Sequence, residues 1–224
     1  MQTILPINII ELVFKGILIG VIASAPMGPV GVLCVQRTLN KGRWPGFATG
    51  VGAAISDVIY AVLTGMGIGF IQDFIQQETT FYALKIAGSA VLLLFGVYCF
   101  MSKPRQVHLV NKRNTSIFYN AHTAFWITFA NPLIILLFIA AMTQLTFVVS
   151  DHPLEMGIGY LSIFCGALLW WFGLTWLIDK IRGRFNAEGI QIINRIIGTI
   201  VILVSIVFLV GTVFNLYSLS WYNI

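Results

Sequence analysis

Apolar residues run almost without interruption through six stretches, at roughly residues 9–36, 47–70, 81–101, 120–148, 156–178 and 192–215. Each approaches the ~20 residues that a helix rising ~1.5 Å per residue needs to cross a ~30 Å hydrocarbon core. The pattern predicts six transmembrane helices. A membrane barrel strand would instead alternate apolar and polar over about ten residues, so the fold class is all-α. At about 35 residues per span and connection, the 224 residues are used up, and residues 1–224 are expected to form a single transmembrane domain.

Composition agrees with the pattern: 58% of the chain is hydrophobic and 9% charged, against roughly 45–50% and about 25% in soluble domains. The net charge of +5 becomes informative once its residues are placed. Arg37, Lys41 and Arg43 occupy the first gap between spans, Lys103, Arg105, Lys112 and Arg113 the third, and Lys180, Arg182 and Arg184 the fifth, with Arg195 entering the last span. The second gap holds Asp73 and Glu78, the fourth Asp151, His152 and Glu155. Basic gaps thus fall on one side and acidic gaps on the other, which makes the odd gaps, including the connection at about 102–118, cytoplasmic and leaves both termini on the non-cytoplasmic side. Solvated, orientation-setting charges need no nucleic-acid partner. Lys15 and Lys85, near the outer ends of spans one and three, are expected to snorkel to the headgroups, and Tyr217, Trp221 and Tyr222 suit an interfacial belt contacting membrane lipid.

The start of the chain lacks the basic segment, short apolar run and small-residue cleavage site of a secretory signal, so no cleaved peptide is expected. Cys34, Cys99 and Cys165 lie far apart inside apolar runs. They read as small buried hydrophobes, without disulfide or metal-ligand spacing, and no cofactor is expected.

Two spans are interrupted. The first contains Ala25-Pro26-Met27-Gly28-Pro29-Val30-Gly31, where two prolines each remove a backbone donor and clash with the preceding turn. A discontinuous helix follows, with unwound carbonyls near mid-depth and a new helical N-terminus near Pro29, tolerable only where the backbone faces protein or water. The fourth span contains Thr128-Phe129-Ala130-Asn131-Pro132. The offset from Pro26 to Pro132 is 106 residues, and the same offset carries the second span onto the fifth and the third onto the sixth. Three spans per half is an odd number, so the expected arrangement is a 3+3 inverted repeat with halves at about 1–105 and 106–224. Paired broken helices in such repeats commonly build a substrate site, because half-helix N-termini offer amide hydrogens and a positive dipole end to an anion such as an amino acid's carboxylate.

Asp57 stands about ten residues into the second span, where a charge costs about 2.5–3.5 kcal/mol on insertion scales. Such a residue is a functional candidate. Gly46, Gly50 and Ala53 or Ala54 form a small-residue face beside Ser56 and Asp57, which predicts close packing against the broken first span. Asp57 could carry a proton, hold a cationic group, or simply pin the unwound backbone by hydrogen bonds. Gln36, Asn131, Gln144 and Thr128 are further polar candidates that could equally bond neighbouring helices. Gly65-Met66-Gly67-Ile68-Gly69 has no preceding strand and no following Lys-Ser or Lys-Thr pair, so it reads as helix packing rather than a phosphate loop. His122 reads as an interfacial, solvated histidine rather than a proton shuttle.

The Ala-Pro-Met-Gly-Pro break, Arg37 with the Gly42 to Gly46 turn, the Gly50-Val51-Gly52 to Asp57 helix and the Asn131-Pro132 break together resemble the LysE-type amino-acid efflux translocators, over nearly the whole chain and most strongly over residues 25–69. The resemblance implies a small exporter in the bacterial inner membrane that moves amino acids or related solutes outward, driven by protons or the membrane potential, with a homodimer as one possible assembly. It places the family's residues on Pro26, Gly28, Pro29, Asp57, Asn131 and Pro132. Two departures matter: Met27 is an extra residue within the proline element, and the position acidic in arginine-exporting relatives falls here in the apolar Leu133 to Ile139 run. A neutral substrate is therefore favoured over a dibasic one. An inorganic cation or metal exporter is the nearest alternative, but it would want several converging oxygen, imidazole or thiolate ligands. An intramembrane enzyme would need paired aspartates, a Ser with a deep His, or a His-Glu-x-x-His helix, and a purely structural role would leave the breaks and the buried acid without a use.

Overall fold

A computed structural model describes residues 8–26, 28–70, 78–102, 116–131, 133–147, 153–181 and 187–214. These form eight helices: α1 Ile9–Ser24, α2 Pro29–Lys41, α3 Arg43–Phe70, α4 Glu78–Met101, α5 Ile117–Phe129, α6 Leu133–Gln144, α7 Pro153–Lys180 and α8 Ala187–Val213. Four of them, α3, α4, α7 and α8, are long and apolar enough to cross a membrane. The pairs α1–α2 and α5–α6 qualify jointly, bent by 82° and 77°, so the described residues supply up to six spans.

The bends lie where the prolines and their neighbours forbid a continuous ladder. α1 starts with the Asn8 side chain accepting from the amides of Ile10 and Glu11, and ends at Ala25, before Pro26. α2 starts with Pro29 in its first turn, the one helical position where the missing N–H costs nothing. α5 starts with Ser116 accepting from the Tyr119 amide and stops at Ala130.

Close backbone approach sets the packing. A Cβ on Gly16 would meet Ser162 and Gly159, one on Gly20 would overlap the Ile163 carbonyl, and one on Gly166 would overlap that of Ile17. The contact advances in the same direction along both helices, so α1 runs parallel to α7. α3 and α5 are likewise parallel, with Gly52 against the Ala121 carbonyl and Tyr60 against Phe129. α4 and α8 cross antiparallel at Gly96 and Gly198. The shorter pieces differ. α2 lies on α3, with Thr38 over Gly46, whereas α6 lies on α4, with the Gln144 amide donating to the Lys85 carbonyl and to Ser89 Oγ.

The core gathers Val30, Cys34 and Val35 of α2, Ala53 and Ala54 of α3, and Trp171 of α7. Large apolar side chains on the outside, among them Leu94, Phe118, Leu161 and Leu203, are more than half exposed, as a lipid-facing surface requires. Three expectations change. Cys34 and Cys99 are buried, but Cys165 is exposed on α7. Lys15 pairs with Glu11 at 2.6 Å and reaches the Thr146 carbonyl at 3.4 Å, so its ammonium has protein partners that the snorkelling expectation did not include. Arg37, expected to be solvated, is buried, because the bend turns α2 back against α3 and α5.

Candidate functional site

Asp57 lies about midway along α3 and is 3% exposed. Its Oδ2 accepts a hydrogen bond of 3.0 Å from Ser24 Oγ, the last residue of α1. The buried acid is therefore tied to the first break. Beside it opens a cavity of about 210 Å³ whose wall includes Pro26, Gly28, Pro29, Asp57, Thr128 and Asn131. This volume is below the ~300–1,000 Å³ of pockets for drug-sized ligands and suits a small solute. Of the residues expected at the site, Ser56 is fully buried but does not line the cavity. Pro132 lies outside the described residues.

The two breaks are finished differently. At the second, Asn131 Oδ1 accepts from the Leu133 amide at 3.2 Å and caps α6, while Tyr60 Oη donates to the Phe129 carbonyl at 2.6 Å and caps the end of α5. Asn131 thus has a local structural task even though it lines the cavity. At the first, the Gly28 amide bonds the Pro26 carbonyl at 2.8 Å, and α2 begins with no side-chain cap. Its first-turn amides and positive dipole end stay available to an anion.

Three polar groups of this wall escaped the sequence reading. Ser24 was unremarked beside the prolines. Trp171 of α7 and Asn194 of α8 both line the cavity and are 3% and 2% exposed. Trp171 sits inside an apolar run and looks like core, and its ring fills the space left by Gly50, whose Cβ would overlap it. Asn194 adjoins Arg195 and looks like the edge of a basic gap. The small-residue face of α3 is therefore divided: Gly46 receives α2, as expected, and Gly50 receives α7.

Compared with known proteins, the chain matches the family described as LysE type translocator over residues 21–212. The chain belongs to the LysE type translocator family. The matched region contains both breaks, Asp57 and the whole cavity wall. Among curated proteins it is similar to "Putative amino acid efflux protein YcgF" of Bacillus subtilis (strain 168), with 22% identity over 185 residues, 81% of this chain and 87% of that protein. No solved structure matches it. As a member of this family, the chain is a multi-pass membrane translocator.

The translocator has a second polar cluster, at Arg37. Its guanidinium donates to Thr49 Oγ1 at 2.9 Å, to the Asn120 carbonyl at 2.7 Å and to Thr123 Oγ1 at 2.7 Å. One side chain thereby joins α2 to α3 and to α5, across the two halves of the chain.

Proposed function

We propose that this translocator is a secondary transporter exporting amino acids or related small zwitterions across the bacterial inner membrane, coupled to the proton or membrane-potential gradient. The observation that carries the reading is the meeting of Asp57 with the uncapped first break in one small cavity. An N-terminal helix end favours a carboxylate, and a buried carboxyl can hold an ammonium or exchange a proton. A hard cation would take six or more oxygen ligands, whereas no three His, Cys, Asp or Glu side chains converge among the described residues; this favours the zwitterion over the metal reading.

Alternating access would follow from an inverted repeat. Parallel pairing of α1 with α7 and of α3 with α5 supports such a repeat, since exchanging the halves exchanges these two contacts; α2 and α6 depart from it. The direction shared by α1 and α7 also fits both helices entering from the non-cytoplasmic side, with both termini there.

In inside-out vesicles carrying the protein, labelled amino acid should accumulate when an acid-inside gradient is imposed, and accumulation should collapse in Asp57→Asn. Unchanged uptake by that variant would remove Asp57 from the mechanism.

A further inference from the structure

Three residues that line the cavity each carry a buried polar atom with no hydrogen-bond partner among the described residues: Thr128 Oγ1, Trp171 Nε1 and Asn194 Oδ1. Their side chains are 5%, 3% and 2% exposed. A buried polar atom left unpaired is destabilising, and natural folds keep few of them without a use. These three fall on one small cavity, beside a helix N-terminus that also lacks a cap.

Their chemistry sorts with the poles of the break. Trp171 packs in one cluster with Val30, in the first turn of α2. Its indole nitrogen is a pure donor, the same polarity as the positive end of α2. Asn194 is flanked by Ile193 and Ile197, which pack with Ala25 at the end of α1. Its unpaired atom is an acceptor, the same polarity as the Asp57 carboxyl and as the last-turn carbonyls at the negative end of α1. The break therefore presents a donor pole and an acceptor pole a few residues apart. A zwitterion has the matching pair of charges on one carbon.

We propose that Trp171, helped by Thr128, donates to the substrate's carboxylate at the start of α2, that Asn194 joins Asp57 at its ammonium, and that the substrate is an amino acid with an uncharged, apolar side chain. The side-chain class comes from the rest of the wall. Phe95 and Cys99 of α4 and Leu133, Ile134 and Leu137 of α6 line it, and among the described residues Asp57 is the one charged group on it. An acidic side chain would face the Asp57 carboxyl and a basic one would compete with the substrate's own ammonium for it, so either would lose hydration without a partner of its own. This assignment rests on the export reading above and adds the residues that read the substrate.

The test uses the full-length protein in proteoliposomes, with L-leucine as labelled probe and L-lysine, L-glutamate, isopentylamine and 4-methylpentanoate as unlabelled competitors. The last two are leucine without its carboxylate and without its ammonium. L-leucine should be transported, and each competitor should be weaker by about tenfold or more, the usual effect of losing a charged hydrogen-bonded contact. Trp171→Phe keeps the ring and removes the donor; it should raise the KM for L-leucine by about tenfold and narrow the preference over isopentylamine, leaving that over 4-methylpentanoate intact. Asn194→Leu should do the converse. Competition by lysine or glutamate as strong as that of unlabelled leucine, or variants that keep the original preferences, would overturn the assignment while leaving amino-acid export standing. Failure of every amino acid to be transported would instead overturn the export reading and this assignment with it. The competitor series on the unaltered protein decides the matter even if a variant does not fold.

Discussion

At the scale of single residues, the surroundings of Asp57 set what the cavity can do. The Ser24 hydroxyl is its hydrogen-bond donor, and such bonds between membrane helices average roughly 0.6 kcal/mol with a maximum of about 1.7. Ser24→Ala should therefore lower the initial rate of uptake by about threefold, a graded effect beside the collapse expected for Asp57→Asn. Rates for the two variants at equal protein in the membrane check this. Asp57 was legible because an acid alone in an apolar run is too costly to insert without a use. Ser24 was not, since a serine in a helix usually bonds the carbonyl one turn back and its sequence neighbours do not say which helix it faces. Trp171 and Asn194 were hidden for a related reason: nothing local distinguishes an unpaired polar atom from a satisfied one. The sequence put Ser56 beside Asp57 at the site, yet neighbouring residues on a helix point about 100° apart, and of the two Asp57 alone reaches the cavity.

At the scale of elements, the prolines told where helices stop but not how far the next one turns. The bend of 82° after α1 buries Arg37, which the charge pattern placed in solvent. Arg37→Met would forfeit its three hydrogen bonds and should cost about 2 kcal/mol at the average value for membrane bundles, seen as a lower Tm in detergent. The glycine contacts give a sharper pair of tests. Gly20→Ala places a methyl on the Ile163 carbonyl, an overpacking that should cost about 1–3 kcal/mol. Gly157→Ala on α7 meets nothing within 4 Å and removes glycine's helix penalty of about 0.5–1 kcal/mol, so it should leave Tm unchanged or raise it slightly. Gly46, Gly50 and Asp57 showed that one face of α3 is crowded; which helix fills each gap depends on tertiary pairing that spacing alone does not encode.

At the scale of the whole molecule, six apolar stretches anticipated an all-helical membrane protein, and the two breaks fall where its cavity opens. What stayed out of reach was the unequal use of the two breaks, one sealed by Asn131 and Tyr60 and the other left open. A cysteine introduced at Arg105 should resist an impermeant thiol reagent added outside the cell and react with it in inside-out membranes; labelling from outside would reverse the proposed orientation. The central claim, that the solute sits in the cavity at the open break, is tested most directly by protection of a thiol placed there. Ile127 lines the cavity and is 40% exposed, so Ile127→Cys, in a chain whose Cys34, Cys99 and Cys165 are replaced by alanine, should be alkylated by a small thiol reagent. Saturating transported amino acid should slow that alkylation several-fold. Alkylation at an unchanged rate, in a variant that still transports the amino acid, would place the solute's path elsewhere.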